Sequence, residues 1–434
     1  MPGFSASWWP RANLRRCCCP NSWTPINNRG ATPTGSRPPK CSPPDPARSM
    51  CSMPAGEAAT LVHTTGELSS GSRLVNEAQH QPGIHDPAHW EALAAVAGED
   101  LHARFGHRLM GLPGTWIGSL HAMPAAPAPR KRPRPWSEWH YWWQAHYLDA
   151  ILDAAFHELH SGHRCAAQRH WRRAKQLLRG ILLRNFGRFP NYFYDDMAWL
   201  LLASQRLNGL SQQLTARPAL LATLAMRALG RQLVRGQDEK LGGGLYWSRK
   251  RDFKNTPTNA PAALYFARIA DLDTATGLLD WLRRELYSTP SGLYLDGIRL
   301  TAGGPRTEEA IYTYNQGTVL GALLAAGSAE HLAQAVSLIQ AINDRLATAA
   351  QGLRLESGGD GNLFTGILCR YLALAANDER LPAATRRTAA RLVCDTASQL
   401  ADRVETELSA ATQRWTILQA AGRVSLPPSQ LDAK

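Results

Sequence analysis

From Asp86 onward, apolar residues recur at intervals of three and four, as in Trp90, Leu93, Ala94, Val96, Ala97 and Leu101. That spacing lines one face of an α-helix, so a chain that keeps repeating it is built helix upon helix. The pattern predicts helices near 87–109, 137–160, 164–186, 194–208, 215–235, 257–270, 272–287, 308–327, 329–349, 361–376, 383–404 and 410–421, with no strong strand signal between them. About twelve helices with little sheet is the count of an all-α toroid or solenoid.

Three stretches then repeat one plan. Gly244-Leu245-Tyr246-Trp247 precedes Asn259 and an Ala-rich helix through Ala267; Gly292-Leu293-Tyr294-Leu295-Asp296 precedes Asn315 and a helix through Ala326. In the third copy Gly352-Leu353-Arg354-Leu355-Glu356 precedes Asp360 and a helix through Ala376. Gly317, Gly321, Ala322, Ala325 and Ala326 suit a crowded inner layer, whereas the Arg-rich 164–186 and 383–404 segments read as an outer, solvated one. Alternating inner and outer helices, six of each, make a closed toroid. With the inner helices all entering from one end, the loops before them bring Asp195, Asp196, Asn259, Asn315 and Asp360 to one rim.

The first 85 or so residues break this regularity: they are rich in Pro, Ser, Gly and Asn, lack an apolar period and hold Cys17, Cys18, Cys19, Cys41 and Cys51. A disordered extension is expected over 1–85 and a folded domain over 86–425. Cys165, Cys369 and Cys394 of that domain form no Cys-x-x-Cys pair, so they read as small buried hydrophobes, and neither metal nor cofactor is expected. The Arg-bearing start never leads into an apolar h-region, which makes the cytoplasm the expected location. No apolar run approaches the ~18 residues of a membrane span; even Leu363–Ala376 is broken by Arg370. A net charge of +13 raises nucleic acid or acidic membrane surfaces as partners. Its densest cluster, Arg130-Lys131-Arg132-Pro133-Arg134, lies in a Pro-rich connection without the glycine-aromatic pattern of an RNA-binding sheet, so it reads as a solvated loop and no nucleic-acid partner is expected.

The sharpest local signal is Asn191-Tyr192-Phe193-Tyr194-Asp195-Asp196-Met197-Ala198-Trp199, two adjacent acids at a helix start among aromatics. One reading is capping, since acids belong in a first helical turn. The other is catalysis of glycosyl transfer, which needs one carboxyl at the oxocarbenium-like centre and another to protonate the leaving oxygen. Aromatics such as Tyr194 and Trp199 favour the second, because a sugar stacks its C–H face on such rings. Consecutive Cα atoms stand about 3.8 Å apart, so the two carboxyls can reach the ~5–5.5 Å separation of retaining glycosidases. Asn315 and Gln316 offer donors and acceptors suited to sugar hydroxyls, or ordinary helix caps. Trp142, Trp143 and Trp247 are stacking platforms or core, and His146 reads as a core histidine.

Tyr194-Asp195-Asp196-Met197-Ala198-Trp199 resembles the paired-aspartate motif of glycoside hydrolase family 76, the α-1,6-mannanases. Further blocks agree in order: Trp142-Trp143-Gln144-Ala145-His146, Gly243-Gly244-Leu245-Tyr246-Trp247, Lys254-Asn255 with Asn259, Asp296-Gly297, Thr313-Tyr314-Asn315-Gln316-Gly317, and Phe364-Thr365-Gly366-Ile367 with Arg370-Tyr371-Leu372-Ala373. The likeness spans roughly 88–405, and Thr365 departs from it, standing where the family usually has a lysine. What the resemblance implies is an (α/α)6 barrel, a six-hairpin toroid, that hydrolyses α-1,6-mannan within the chain and with retention. Asp195 is then the nucleophile and Asp196 the acid/base. Tyr194, Trp199, Trp143, Trp247, Asn255, Asn259, Asp296, Tyr314, Asn315 and Gln316 become the substrate-binding candidates. The expected partner is α-mannan or an α-mannosyl oligosaccharide or glycolipid.

Other classes fit less well. Terpene-cyclising and prenyl-transferring helical enzymes use aspartate pairs to hold magnesium, but they need a third acid a turn later, where this chain has Trp199. A transglycosidase remains an alternative, since a sugar hydroxyl can intercept a covalent glycosyl-enzyme in place of water. A mannan-binding protein without turnover is the non-enzymatic one.

Overall fold

The computed structural model describes residues 86–123, 138–348 and 352–424. The extension expected over 1–85 and the basic run Arg130–Arg134 lie outside the described residues. Twelve helices are formed among the described ones: α1 Pro87–Arg104, α2 Tyr141–His160, α3 Arg164–Arg184, α4 Tyr194–Thr215, α5 Leu220–Arg235, α6 Thr256–Arg268, α7 Leu272–Glu285, α8 Thr313–Ala326, α9 Ala329–Leu346, α10 Gly361–Ala376, α11 Ala383–Leu400 and α12 Leu408–Ala421. Local chemistry sets several of these limits. Asp86 caps α1 by accepting from Ala88 N ahead of Pro87, Asp271 and Ser328 cap α7 and α9, and α8 stops where Gly327 turns left-handed.

The even-numbered helices form the inner ring. Each touches the next, α2 to α4 to α6 to α8 to α10 to α12, and α12 closes back onto α2. Each odd-numbered helix packs outside an inner one, with α1 against α12. Burial follows from this arrangement: α6 is buried at every residue from Thr256 to Ala267, while outer α5 buries only the stripe Ala222, Ala225, Leu229 and Leu233. Small residues let the inner ring close. A Cβ on Gly317 of α8 would lie 2.6 Å from Leu368 Cα of α10, closer than any side chain allows. The six-hairpin (α/α)6 barrel is therefore the observed fold.

The expectation of little sheet needs correction at the rim. Phe253–Asn255 (β3), Gly297–Thr301 (β6) and Gly304–Glu308 (β7) pair antiparallel in the order β3-β6-β7. Short two-residue pairs add β1 (Gly106–His107) to β2 (Ile117–Gly118), β4 (Tyr287–Ser288) to β5 (Leu293–Tyr294) and β8 (Ala347–Thr348) to β9 (Gly352–Leu353). The hairpin occupies 297–308, so the helix expected from 308 begins at Thr313 instead. Its marks in the sequence are the Gly303-Gly304 turn and Pro305 on the outer strand, where no ladder N–H is required; burial falls along the first strand from Gly297 and Ile298 to exposed Thr301.

The repeated glycine-started units explain how the rim is anchored. Gly244, Gly292 and Gly352 have φ of +78°, +73° and +74°, a conformation that admits glycine without strain. Each turns the chain into an extended piece whose peptide groups are taken by side chains. Asn259 bonds both N and O of Leu245, and Gln316 bonds both N and O of Tyr294. In the third unit Thr396 and Gln399 of outer α11 hold Leu353.

Candidate active site

The loops preceding the inner helices carry the polar side chains of the cleft. Asp195 and Asp196 stand in the first turn of α4, half-buried. The capping alternative holds in part: both acids lie in the first turn and Asp195 Oδ1 accepts from a first-turn N–H, but the N-cap position itself is Phe193, with no side-chain cap. Each carboxylate is held as an acceptor. Trp247 Nε1 donates to Asp195 Oδ2 at 2.9 Å, and Asp196 N donates to Asp195 Oδ1 at 2.7 Å. Asn191 Nδ2 donates to Asp196 Oδ2 at 2.6 Å.

Electrostatics set this pair apart from an ordinary surface pair. Burial first, then the charge of Asp196, pushes Asp195 well above the usual carboxylate range. Asp196 is raised to about 7, chiefly by burial, with the Asn191 hydrogen bond opposing and Asp360 adding. Neighbouring carboxylates away from bulk water cannot both ionise cheaply, so the pair keeps a proton near neutral pH. Two N–H donors meet Asp195 and one meets Asp196, which favours placing negative charge on Asp195.

Aromatic rings make the floor. Tyr314 stacks on Phe364 at 3.9 Å between centroids and 13° between planes, and Trp199 is inclined by 26° to Tyr314 at 6.4 Å. Trp142 meets Trp199, Tyr314 and Phe364 edge-on. The Tyr314 hydroxyl is driven far up by burial and then by Asp296, Asp195 and Asp360, which places these three acids around it. Asp296 is itself raised to about 6, first by burial. Asn315 Nδ2 reaches Asp296 Oδ1 at 3.4 Å, and Asn315 Oδ1 is buried with no protein partner.

The other candidates divide by geometry. Trp143 and Trp247 act as clamps on carboxylates: Trp143 Nε1 donates to Asp360 Oδ1 at 2.6 Å while its ring stacks on His140. Asn259 and Gln316 need correction as sugar ligands. Both are fully buried, and their amides are spent on Leu245 and Tyr294 beneath the rim. Tyr194 turns away too, its ring against Gly236 at the end of α5. Asn255 is nearly buried at the start of α6, its Oδ1 accepting from Thr258. Thr365, the departure from the family pattern, is buried and donates to Arg354 O at 2.9 Å beside Glu356, so it lies below the cleft. Asn191, which holds Asp196, is a site residue whose role the motif alone does not reveal. Its position five residues before Asp196, on the same turn into α4, was the available signal.

Among the described residues no group of His, Cys, Asp and Glu is arranged to hold a metal, and no helix is long and apolar enough to cross a membrane.

Comparison with known proteins agrees with this fold. The sequence profile of glycosyl hydrolase family 76 matches residues 122–427. The α-1,6-mannanase of Salegentibacter sp. HEL1_6 superposes with a TM-score of 0.63 at 25% identity, over 76% of this chain and 98% of that one. An inactive variant of the same enzyme, two aspartates replaced by asparagine, was solved with α-1,6-mannotriose and matches at TM-score 0.63 and 24% identity, over 77% and 99% of the two chains. A Listeria innocua protein matches at TM-score 0.62 and 24% identity, over 76% and 96%. No curated protein matches.

Proposed function

Because the chain belongs to glycosyl hydrolase family 76, we propose that it hydrolyses α-1,6-linked mannan within the chain and with retention, Asp195 and Asp196 sharing the chemistry. The observation that carries this reading is the unequal holding of two adjacent carboxyls, Asp195 by Trp247 Nε1 and the Asp196 amide, Asp196 by Asn191 alone. In the first step an Asp195 oxygen bonds the anomeric carbon as the glycosidic C–O bond breaks, and Asp196 gives its proton to the departing sugar oxygen. The product is a glycosyl ester on Asp195. Asp196, now ionised, takes a proton from water as that water attacks the same carbon and frees Asp195. The raised Asp196 suits both halves, since an acid near 7 can donate and then accept at neutral pH.

Incubation of the purified chain with α-1,6-mannooligosaccharides, products resolved by mass, tests the reading. Shorter species alone support hydrolysis. Longer ones assign the chain to transfer, and an unchanged substrate removes the catalytic role.

A further inference from the structure

Two neighbouring outer helices, α3 and α5, carry ten Lys and Arg residues and no Asp or Glu. They touch each other, so they form one face, on a chain whose net charge is +13. Other outer helices mix signs: α1 sets Glu91, Glu99 and Asp100 against Arg104, and α7 sets Asp273, Asp280 and Glu285 against Arg283 and Arg284. On α3 the outward residues include Arg169, Arg172, Arg179 and Leu183; on α5 they are Leu220, Leu224, Arg227, Arg231, Val234 and Arg235. At 3.6 residues per turn each set falls within about 100° of arc.

The arginines of these stripes, Arg169, Arg172 and Arg179 on α3 and Arg227, Arg231 and Arg235 on α5, form no ion pair among the described residues. Like charges four residues apart destabilise a helix, so the ladder on α5 gains most from an anion outside the chain. Beside it runs a groove of about 480 Å³ that the three α5 arginines share with Val234, Phe266 and Ile269. Leu220 is 73% exposed, Val234 61% and Phe186, just beyond α3, 71%. Cations interleaved with exposed apolar side chains fit a surface with both phosphate and acyl chains; a nucleic acid would leave Leu and Val without use. The face also abuts the cleft. Arg251 donates to Arg235 O, and Arg249 bridges Gln232 of α5 to the backbone of Asn191, the residue that holds Asp196.

We propose that the α3–α5 face docks this protein on an anionic lipid bilayer and so brings the cleft to mannosyl glycans anchored there. Docking stands apart from the hydrolytic reading; only the anchored substrate rests on it. The full chain, co-sedimented with phosphatidylcholine vesicles in which about a third of the lipid is phosphatidylglycerol, is expected to bind at low salt and to be released at ~0.5 M salt. Pure phosphatidylcholine vesicles should leave it in solution. Replacing Arg227, Arg231 and Arg235 together by Gln should lower partitioning about 100-fold, the effect of three charges. Leu220→Ser with Leu224→Ser and Val234→Ser should lower it about 10-fold with every charge kept. Both variants should cleave soluble α-1,6-mannotriose at the wild-type rate, which checks that they fold. Equal binding to both vesicle types overturns the proposal. So does an apolar variant that binds vesicles like wild type while the arginine variant loses duplex DNA, which makes the face a general polyanion surface. Docking without mannotriose cleavage upholds the face and rejects the hydrolytic reading; cleavage without docking does the reverse.

Discussion

Two sets of carboxylates sit on neighbouring inner helices, Asp195 and Asp196 on α4 and Asp149 and Asp153 on α2, and meet opposite fates. At the rim, Asp195 and Asp196 have N–H donors but no ion pair among the described residues, and both are pushed upward. About 16 Å further along the barrel, at 1.5 Å per helical residue, Asp149 and Asp153 of α2 meet Arg206 of α4, Arg370 of α10 and Arg423. Arg206 pairs with both acids, Arg370 reaches Asp149 at 3.0 Å and Asp153 at 2.8 Å, and Arg423 reaches Asp153 at 3.0 Å. Despite burial, those guanidinium groups hold both aspartates below the usual carboxylate range. Burial alone therefore does not decide protonation; the partners do. The inner cluster is fixed in charge and serves cohesion, whereas the rim pair keeps a movable proton, as acid–base chemistry requires.

The comparison breaks first at Asp195. Asp195→Asn should lower turnover by about 10⁴-fold or more, since no glycosyl ester can form without the nucleophile, with melting temperature preserved; steady-state rates and thermal unfolding on one preparation check it. Next in size, Asp153→Ala removes the acid that Arg423 pairs with and one of the two that Arg206 and Arg370 share, and should cost about 3–5 kcal/mol of stability. Chemical denaturation reads the loss. Because Asp153 is depressed in the folded state, its contribution is complete above an unfolded value near ~4 and fades as pH falls through the lower folded one. The variant should lose that part of the acid slope.

Trp247→Phe removes one donor from Asp195 and should lower kcat by about 10–100-fold, the worth of one hydrogen bond to a charged group. The acid limb of the rate profile should move up in pH, because the ionised form loses its support. The smallest effect has the opposite sign to the Asp153 change. Asp196 is raised, so its contribution to stability is full below an unfolded value near ~4 and is lost as pH rises through about 7. Asp196→Asn should therefore stabilise the fold at pH ~8 by about 1–2 kcal/mol, discounted for its solvent contact, and change little at pH ~4. Melting curves at the two pH values decide this; a loss of stability at the higher one would mean that the rim acids are bound like the inner ones.

The barrel was legible because its information is periodic. Runs such as Leu220–Arg235 show an apolar stripe at helical spacing whatever the tertiary context, and small residues such as Gly317 mark where inner helices meet. The acid pair was legible because its neighbours in space are also neighbours in sequence. Less legible were partners set by closure of the ring: Trp143 meets Asp360 from 217 residues away, and Arg370 meets Asp153 across the same span. Asn259 and Gln316 misled for a related reason. An amide in the first turn of a helix looks the same in sequence whether it faces a sugar or, as here, locks a distant peptide group.

The central claim, that Asp195 and Asp196 act as a retaining pair, is tested most directly by the anomeric form of the first product. Proton NMR of α-1,6-mannotriose with the enzyme, recorded before the sugars mutarotate, should show the new reducing end appearing as the α-anomer, because two inversions at Asp195 restore the starting configuration. A β-anomer appearing first would contradict the account, since it requires water to attack directly and leaves Asp195 no covalent role.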